Sequence, residues 1–529
     1  MTAKRISLRH VFDGGWSTDF GPTVDLSPDN SGRIVIPFLV DAENVFFELD
    51  GGPHKIGGAS KLNSTTIESG AVLTGVYDYW RQGTTGLPVR RRVVHAGTKV
   101  LSDADDAVFS TTLFTGLTSG AVPNYSTFDD LLIISSDSTV DVPRSWNQTT
   151  AQNLAGSPPR FSFSTPHKGR QFAAGVYTNP STLYYSAAFD PEDWTGSGSG
   201  SIRIDPDDGD MITGIASYKG ELVIFKGPNK GSIHRLSGSS GADFSVIPFV
   251  RGLGCAWQNT IFQFKDDLGF VSQYGSVHSL KATSAFGDFN DAALSRAINS
   301  WLFEHVNYNR IRYIQAANDS LSGQVLFTMS VDSSATNNAI LMMDYRNWPD
   351  RPVKWAYWPS MDAGSIASFV DTNGVRRILA GGNDGFLRRL NVSNRSIDTT
   401  TAISAKVTTP FLNYGNPMAL KTFAQVGIGI EPRGAYDLTF GWTRDDNAQQ
   451  TTTLQQGGGD VLGPADENEF TLGTSALAGS QFVERFQELE EGGEFRSIQY
   501  QVTQNGVNED LELHSLSVTL EPGALSTEN

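Results

Sequence analysis

The chain has 529 residues, a charged fraction of 18% and a formal net charge of −17 at pH 7. This length exceeds one compact core and predicts about two to four domains, or one large repeat array with additions. The negative charge argues against a general nucleic-acid binder, because such a protein needs a basic face to displace phosphate counterions.

Residues 1–63 predict an N-terminal arm. The opening MTAKRISLRH lacks the apolar core of a signal peptide, and no apolar run approaches the roughly 20 residues of a membrane span, so we expect neither. In the segment NVFFELDGGPHKIGG, Val45, Phe47 and Leu49 alternate before a Gly-Gly-Pro turn, which predicts a strand that leads into a hairpin. We expect this region to supply the strand that closes a ring of repeats.

A strand–turn–strand phrase recurs through residues 64–395 at roughly the 40–50-residue spacing of β-propeller repeats. Each copy has a short apolar run, a turn rich in Gly, Asn, Asp or Ser, and a second alternating run. The seven copies are Val93–Ser102, Leu131–Val142, Gln171–Ser186, Leu222–Leu236, Leu268–Leu280, Val325–Tyr345 and Arg376–Leu390. These copies predict an all-β fold with a propeller of six to eight blades.

One helix is predicted between two blades, over Asp291–Ile311. Four apolar side chains fall at the helical spacings i, i+4, i+7 and i+8: Leu294, Ile298, Trp301 and Leu302.

The remaining residues, 396–529, break the repeat and predict a C-terminal β-rich assembly domain resembling a β-sandwich. Alternation is clear from Tyr436 to Trp442, from Ile498 to Val502 and from Leu516 to Leu520. Between these strands Gln449–Ser480 is polar and rich in glycine and threonine, which predicts a long flexible loop.

Catalytic and metal-binding motifs are scarce, and we predict no enzyme, no catalytic residue, no cofactor and no bound metal. The eight histidines form no HxxxH or HExxH pair, and the single cysteine allows no CxxC, which argues against zinc. No GxSxG elbow and no GxxxxGK[ST] phosphate loop occur. The sialidase Asp-box is also missing, since its nearest stretch, Ser135–Trp146, lacks the glycine and the Thr-Trp end.

Three other features of the sequence could have either a structural or a functional role. Asp205, Asp207, Asp208 and Asp210 resemble a fragment of a calcium loop, but no bidentate Glu follows, so a solvated turn is favoured. The lone cysteine, Cys255, is expected to be a buried packing residue. The clusters Arg90–Arg92 and Arg388–Arg389 are expected to pair with carboxylates, and an inter-subunit contact is the sharper alternative.

Three segments resemble phage tail propeller proteins: ENVFFELDGGPHKIGGASKL (Glu43–Leu62), LYYSAAFDPEDW (Leu183–Trp194) and AGGNDGFLRRLN (Ala380–Asn391). The family is the tail hub or nozzle protein, also called the packaged-DNA stabilisation protein, of short-tailed double-stranded-DNA bacteriophages. The chain departs from the family's basic-basic-Pro-Gly motif, because it has His54-Lys55-Ile56-Gly57 in its place.

The resemblance implies a structural virion protein of the tail, made in the host cytoplasm. It implies a ring of six copies below the portal and adaptor that extends the DNA channel, retains packaged DNA and docks tail fibres or spikes. An acidic conduit would let double-stranded DNA pass without sticking. We expect the C-terminal strands and Gln449–Ser480 to form the assembly surface.

Two other classes of function remain open from the sequence. A carbohydrate-active or carbohydrate-binding propeller is the main alternative, and an active one would need carboxylates that converge at roughly 5–10 Å. A cytosolic scaffold propeller that binds peptides is the other, although the WD and Gly-His marks of the commonest repeat are missing.

Overall fold

The computed structural model describes residues 6–19, 21, 23–24, 33–83, 86–286, 293–371, 373–431, 436–445, 447–455, 483–488 and 493–522. The chain divides into two compact units. Unit 2 comprises residues 61–340 and 361–389, and unit 1 comprises residues 1–60, 341–360 and 390–529. No helix among the described residues combines the length and apolar character needed to cross a bilayer.

Unit 2 is a β-propeller, as the repeats predict. Each blade is an antiparallel sheet whose strands pair in chain order. Blade 1 contains Leu73–Gln82, Pro88–Ala96, Lys99–Ser102 and Thr111–Phe114; blade 2 contains Asn124–Phe128, Leu131–Ser135, Arg144–Trp146 and Ala151–Asn153; blade 3 contains Phe163–His167, Arg170–Ala174, Thr182–Tyr185 and Gly200–Arg203. Blade 4 contains Met211–Tyr218, Glu221–Gly227, Ser232–Ser237 and Ser245–Arg251, and blade 5 contains Ile261–Phe264, Asp267–Val271 and Val277–Ser279. Within unit 2, blade 6 contributes Gln315–Asp319 and Gln324–Met329, and blade 7 contributes Ser365–Val370, Arg376–Gly381 and the start of Leu387–Val392.

The first strand of each blade is the innermost, and these strands form a closed circle. Each inner strand contacts the next blade in chain order, except that the strand of blade 4 contacts the turn Gln258–Thr260, which leads into blade 5. The inner strand of blade 7 contacts that of blade 1. There the Ser365 hydroxyl donates to the Leu73 carbonyl at 2.7 Å. The described residues therefore contain seven blades, within the predicted range of six to eight.

Apolar clusters between neighbouring blades form the core of the propeller. Blades 3 and 4 share a fully buried cluster that includes Phe163, Phe172 and Ile224. Blades 1 and 7 share another, in which Val76 and Val94 pack with Leu379. The predicted hairpins supply many of these residues, because they form the second and third strands of the blades.

The end of the N-terminal region closes the ring on blade 7. The Leu62 amide donates to the Leu387 carbonyl at 2.8 Å, and the Asn63 side chain accepts from the Leu387 amide at 2.7 Å. Gly385 lies directly beneath the incoming chain with φ +77°, and a Cβ there would be 2.7 Å from the Gly70 Cα. Glycine is needed at this position both for its backbone conformation and for the close approach.

The helix predicted over Asp291–Ile311 is shorter than expected. An α-helix covers only Asn299–His305, between 3₁₀ turns at Arg296–Ile298 and Tyr308–Tyr313, and Asp291 lies outside the described residues. The helix ends at His305 because Val306 is extended and forms a β-bridge with Val331. Other short helices are the α-helix Leu280–Phe286, which the periodicity did not predict, and the 3₁₀ turns Ile67–Gly70 and Gln258–Thr260.

Unit 1 contains two larger sheets. The first has the order Arg33–Ile36, Ile6–Phe12, Leu513–Pro522, Lys421–Ile430 and Val483–Glu488, with Glu494–Phe495 also paired to Lys421–Ile430. The second has the order Thr23–Val24, Phe411–Leu412, Ile498–Gln504, Ala405–Thr408, Asp41–Glu43, Lys354–Trp358 and Ala339–Asp344, with Asp437–Arg444 and Gln450–Gln455 attached to Ile498–Gln504. Shorter pairs are Val45–Phe47 with Pro53–Lys55 and Ser396–Ile397 with Thr401–Ala402, and Ser396–Ile397 also pairs with Gly58–Lys61.

The two larger sheets pack face to face through aromatic side chains. Phe423 of the first sheet lies 5.6 Å from Tyr500 and 6.0 Å from Trp442 of the second, measured between ring centroids. The Tyr500 hydroxyl also bonds that of Tyr414 at 2.8 Å. This is the sandwich-like packing that the C-terminal alternation predicts.

Two features of unit 1 differ from the expectation for these segments. The strand Ile6–Phe12 pairs antiparallel with Leu513–Pro522, so both ends of the described chain share one sheet. Gln450–Gln455 is a strand paired with Asp437–Arg444 and not part of a loop. Residues 456–480 of the predicted loop lie outside the described residues.

Candidate functional site

The Asp205–Asp210 turn contains one buried carboxylate. Asp210 is 3% exposed, and its two oxygens accept the backbone amides that follow a turn in blade 4. These donors are Asn229, Lys230 and Gly231, at 2.7–3.3 Å. The expectation of a fully solvated turn is therefore wrong for Asp210, because its buried carboxylate bonds the backbone amides of the turn in the neighbouring hairpin.

The other carboxylates of this turn point to separate partners. Asp208 accepts from the buried Lys226 ammonium at 2.7 Å, and Asp205 lies 3.8 Å from the His234 imidazole. Asp207 is exposed. Carboxylates that are spread in this way do not converge as the ligands of a calcium ion do.

The predicted arginine clusters lie at strand ends and form local ion pairs. These pairs are Arg90 with Asp105, Arg92 with Asp103, and Arg388 with Asp384, each at 2.6 Å. Cys255 is fully buried beside the Thr213 hydroxyl, and burial raises the pKa of its thiol to about 12. Such a thiol is unreactive at neutral pH, as the packing interpretation predicts.

A cavity of about 560 Å³, here called the channel, is lined by residues of the inner strands of blades 1, 2, 5, 6 and 7. Its polar lining is rich in side-chain amides: Asn124, Gln258, Asn259, Gln263, Gln315 and Asn318. Lys265 and Arg376 add positive charge, and no Asp or Glu occurs among the described lining residues. A glycosidase needs two carboxylates that flank the scissile bond, and this channel does not supply them.

Tyr77 and Tyr125 stack in the channel wall with ring centroids 5.2 Å apart. The Tyr77 hydroxyl bonds the Thr127 hydroxyl at 3.0 Å, whereas that of Tyr125 has no partner among the described residues. Burial raises the pKa of Tyr125 well above its ordinary value. Both phenols are therefore neutral at physiological pH.

A group of connected ionisable side chains lies in unit 1, around the His54 imidazole. His54 is 5% exposed; its Nδ1 lies 2.9 Å from a Glu48 oxygen, and its Nε2 lies 3.2 Å from both Asp510 oxygens. Arg395 also pairs with Asp510, at 3.0 Å. Burial alone would lower the pKa of His54, but the Asp510 and Glu48 hydrogen bonds outweigh it and raise that pKa. Burial would raise the pKa of Asp510, but Arg395 and His54 hold it well below its ordinary value.

A second imidazole, His514, extends this site. Its Nε2 lies 3.2 Å from Glu512, and its Nδ1 lies 2.8 Å from Asp50. The bond to Glu512 opposes the effect of burial and, with Asp50, raises the pKa of His514 to about 9. We call His54, Glu48, Asp510, Arg395, Glu512, His514 and Asp50 the ionic cluster.

Members of the ionic cluster, together with Glu431, form two groups whose spacing suits a metal ion. The ligand atoms of Glu48, His54 and Glu512, and those of Glu431, Glu512 and His514, lie within 4.8 Å of one another. However, both nitrogens of each histidine already face carboxylates, which favours the protonated imidazolium over a neutral ligand. Arg395 adds a further cation next to His54. The residues therefore fit an ion-pair network better than a metal centre.

The sequence does not predict the ionic cluster. Its eight histidines are scattered without a metal-binding spacing, and His54 stands out only where it departs from a family motif. A partial local signal exists, because His54 lies in a predicted hairpin and His514 lies in the strand Leu513–Pro522, whose later part, Leu516–Leu520, is predicted. Their meeting depends on tertiary structure, since His54 and Asp510 are 456 positions apart.

No protein-family model and no curated protein matches the chain. Among solved structures, YCF48 bound to a D1 peptide aligns with 64% of this chain and 98% of its own, with a TM-score of 0.38 and 10% identity. The exo-β-1,3-galactanase of Phanerochaete chrysosporium, solved with galactose, aligns with 88% of this chain and 100% of its own, with a TM-score of 0.27 and 9% identity. Values this low say nothing about function, and the propeller assignment rests on the strand pairing described above.

Proposed function

We propose that the chain is a structural subunit of the tail hub, or nozzle, of a short-tailed double-stranded-DNA phage, and that it is not an enzyme. The observation that carries the proposal is the location of the three segments that resemble this family. Glu43–Leu62 contains the His54 hairpin of the ionic cluster, and Ala380–Asn391 contains Gly385 at the ring closure. Leu183–Trp194 starts in blade 3 and ends at Trp194, whose ring packs on Phe161 at 5.5 Å.

These three segments therefore hold the fold together and do not line the channel. Their residues form a buried ion pair, a strand closure and an aromatic contact. Such contacts suit a rigid building block, because they hold together segments that are distant in the chain. The proposal includes self-assembly into a ring of six, attachment to portal and adaptor, docking of fibres or spikes, and passage of DNA.

Charge supports the DNA-conduit part of the proposal. The chain carries 57 acidic and 40 basic residues, so a ring of several copies would be strongly negative. Duplex DNA is repelled by a surface of like charge and passes it without binding. The proposed partner is therefore DNA in transit, without recognition of its sequence.

The alternative of a carbohydrate-active propeller is the weaker candidate. Its main requirement is a pair of carboxylates at the reacting bond, and the described lining of the channel contains amides and cations in their place. Incubation with β-1,3-galactan and other polysaccharides should release no reducing sugar. Release that is lost when a single carboxylate is replaced would favour the enzyme.

An assembly experiment tests the tail-hub proposal. Purified protein would be mixed with DNA-filled, tail-less phage heads that carry portal and adaptor, and head-bound protein and nuclease-resistant DNA would be measured. We expect the protein to bind and the DNA to become retained. Heads without the adaptor should bind none.

A matched pair of variants tests whether unit 1 provides the assembly surface. Asp510→Asn breaks the ionic cluster and should reduce binding to heads, while the propeller stays folded. Asp13→Asn changes an exposed carboxylate of the same unit, 52% exposed, and should bind normally. Failure of the wild-type protein to bind heads, with no higher oligomer in the presence of portal and adaptor, would contradict the tail-hub proposal.

A further inference from the structure

A separate cavity, of about 330 Å³, lies at one face of the propeller, and we call it the face pocket. Its walls include Ser162, Met211 and Tyr313, each just before or at the start of an inner strand. The turns between the second and third strands of blades 2 and 3 add Ser136 and Tyr177. In an antiparallel blade the first strand begins on the same face where the second ends, so all these segments meet on one face.

One residue of the pocket wall, Ser136, has a buried hydroxyl without a hydrogen-bond partner among the described residues. Ser136 is 6% exposed. Polar side chains at this depth are nearly always satisfied, and an exception calls for an explanation such as a ligand that completes the bonding. Ser136 lines the face pocket, so rotation of its side chain toward the cavity would let a bound hydroxyl complete the hydrogen bonding.

Three aromatic side chains surround the same cavity: Tyr177, Trp257 and Tyr313. Tyr177 is 69% exposed, an unusual position for a ring of this size. Trp257 packs edge-on with Phe163 at 5.5 Å and is only half-buried. Rings held in this way present flat apolar faces to a ligand.

The charged groups of the face pocket have no counter-ions. Neither Arg312 nor Asp137 has an oppositely charged partner within 4.0 Å among the described residues. The Arg312 guanidinium lies 5.2 Å from the Tyr313 ring centroid and donates to the hydroxyl of that ring at 3.2 Å. Among the described residues, the Asp137 carboxylate accepts only from the Thr139 amide and hydroxyl. Both groups therefore keep hydrogen-bonding capacity, Arg312 for donating and Asp137 for accepting.

We propose that the face pocket binds a neutral sugar unit of a glycan. A pyranose ring has apolar C–H faces that stack on aromatic rings, and hydroxyls that both donate and accept. These hydroxyls match the Asp137 acceptor, the Arg312 donor and the unsatisfied Ser136 hydroxyl. The volume lies at the small end of the roughly 300–1,000 Å³ of ligand sites, which suits one or two sugar rings. This inference does not depend on the tail-hub function.

Calorimetric titration of the full-length protein tests the proposal. The probes are D-galactose, D-glucose, D-mannose and β-1,3-galactobiose, with D-galacturonic acid as the charged counterpart. We expect saturable binding of at least one neutral sugar and weaker binding of the acid. Tyr177→Ala should weaken that binding about fivefold, because it removes one stacking face.

Ser136→Ala separates a binding role from a structural one. In the free protein this hydroxyl is buried and unsatisfied, so its removal should leave Tm unchanged or raise it. The same change should weaken sugar binding about tenfold, since a ligand hydroxyl loses its partner. A structural serine would show the reverse, a lower Tm with unchanged affinity.

Two variants outside the pocket serve as controls. Tyr274 is 57% exposed in the corresponding turn of blade 5, and Arg251 has a 73% exposed side chain. Tyr274→Ala and Arg251→Gln should bind like the wild type, whereas Arg312→Gln should bind more weakly. The proposal is overturned if no neutral sugar binds, if the acid binds better, or if Tyr177→Ala, Ser136→Ala and Arg312→Gln all retain wild-type affinity.

Discussion

The His54 imidazole lies 3.2 Å from the Asp510 carboxylate, although 456 positions separate the two residues in the chain. Both are buried, and Glu48 and Arg395 pair with His54 and Asp510 respectively. The contact joins the hairpin of the N-terminal region to the segment that precedes the last strand. It therefore holds together parts of unit 1 whose loop closure is entropically costly.

Removing one charge from this pair should strongly destabilise unit 1. Asp510→Asn leaves the His54 and Arg395 cations buried without their shared carboxylate, and breaking such a pair costs about 3–5 kcal/mol. Urea unfolding followed by tryptophan fluorescence would measure the loss. The matched control is Asp13→Asn, whose exposed pair with Arg351 should contribute less than about 1 kcal/mol. Equal effects of the two changes would contradict the role of the ionic cluster.

Stability should fall in mildly alkaline solution because of His514. The pKa of this residue is raised to about 9 in the folded protein, so its stabilising charge is fully present below pH 6.5 and is lost as pH rises through 9. The urea midpoint should decrease from pH 7 to pH 9.5. His514→Gln should flatten this decrease, and an unchanged slope in the variant would show that another group is responsible.

Stability should also fall in mild acid because of three buried propeller histidines: His95, His167 and His278. Each has one ring nitrogen bonded to a hydroxyl and the other without a partner among the described residues. Burial lowers the pKa of each to about 4. Below pH 6.5 these histidines therefore bind protons in the unfolded chain but not in the folded chain. The free energy of unfolding decreases progressively as the pH falls to 4.

Urea titrations at pH 7, 5.5 and 4.5 would measure this acid effect. Replacing His278 by Gln removes one titrating group and should reduce the dependence on pH. Midpoints that stay constant between pH 7 and 4.5 would show that these imidazoles do not govern acid unfolding.

Ring closure at Gly385 gives a test with a closely matched control. Gly385→Ala forces a side chain into a φ of +77° and within 2.7 Å of the Gly70 Cα, whereas Gly374→Ala has nearly the same φ, +78°, and open space. The backbone conformation costs about 1–3 kcal/mol in both variants, and only Gly385→Ala adds the clash. Thermal unfolding should therefore show a lower Tm for Gly385→Ala. Equal Tm values for the two variants would mean that the backbone at Gly70 moves to accommodate the added Cβ.

Asp207 and Asp210, two carboxylates of the same turn, should differ in their effect on stability. Asp210→Ala leaves three backbone amides without their acceptor and should cost about 1–3 kcal/mol. Asp207→Ala changes an exposed side chain and should stay within about 0.5 kcal/mol. Calcium or a chelator should leave the Tm of the wild type and of both variants unchanged. A chelator effect that Asp210→Ala abolishes would restore the calcium interpretation.

The hairpins were predictable because their information is local. In blade 4, alternating apolar residues flank the turn that contains Gly227 and Gly231, and the two strands pair as the alternation requires. The same reasoning located the hairpin before His54, although Leu49 is 73% exposed in its turn and not on the buried face with Val45 and Phe47. The predicted helix was too long because helical periodicity carries no information on the β-bridge between Val306 and Val331, where the helix ends.

The sequence by itself therefore determined the all-β class, the repeated hairpins and the alternating C-terminal strands, since neighbouring residues set turn chemistry and alternation. Tertiary structure decided the number of blades, the pairing of Ile6–Phe12 with Leu513–Pro522 and the ionic cluster. It also decided the protonation of each histidine, because buried His278 and ion-paired His514 have pKa values on opposite sides of their ordinary one. These properties depend on burial and on partners hundreds of residues away, which no local pattern encodes.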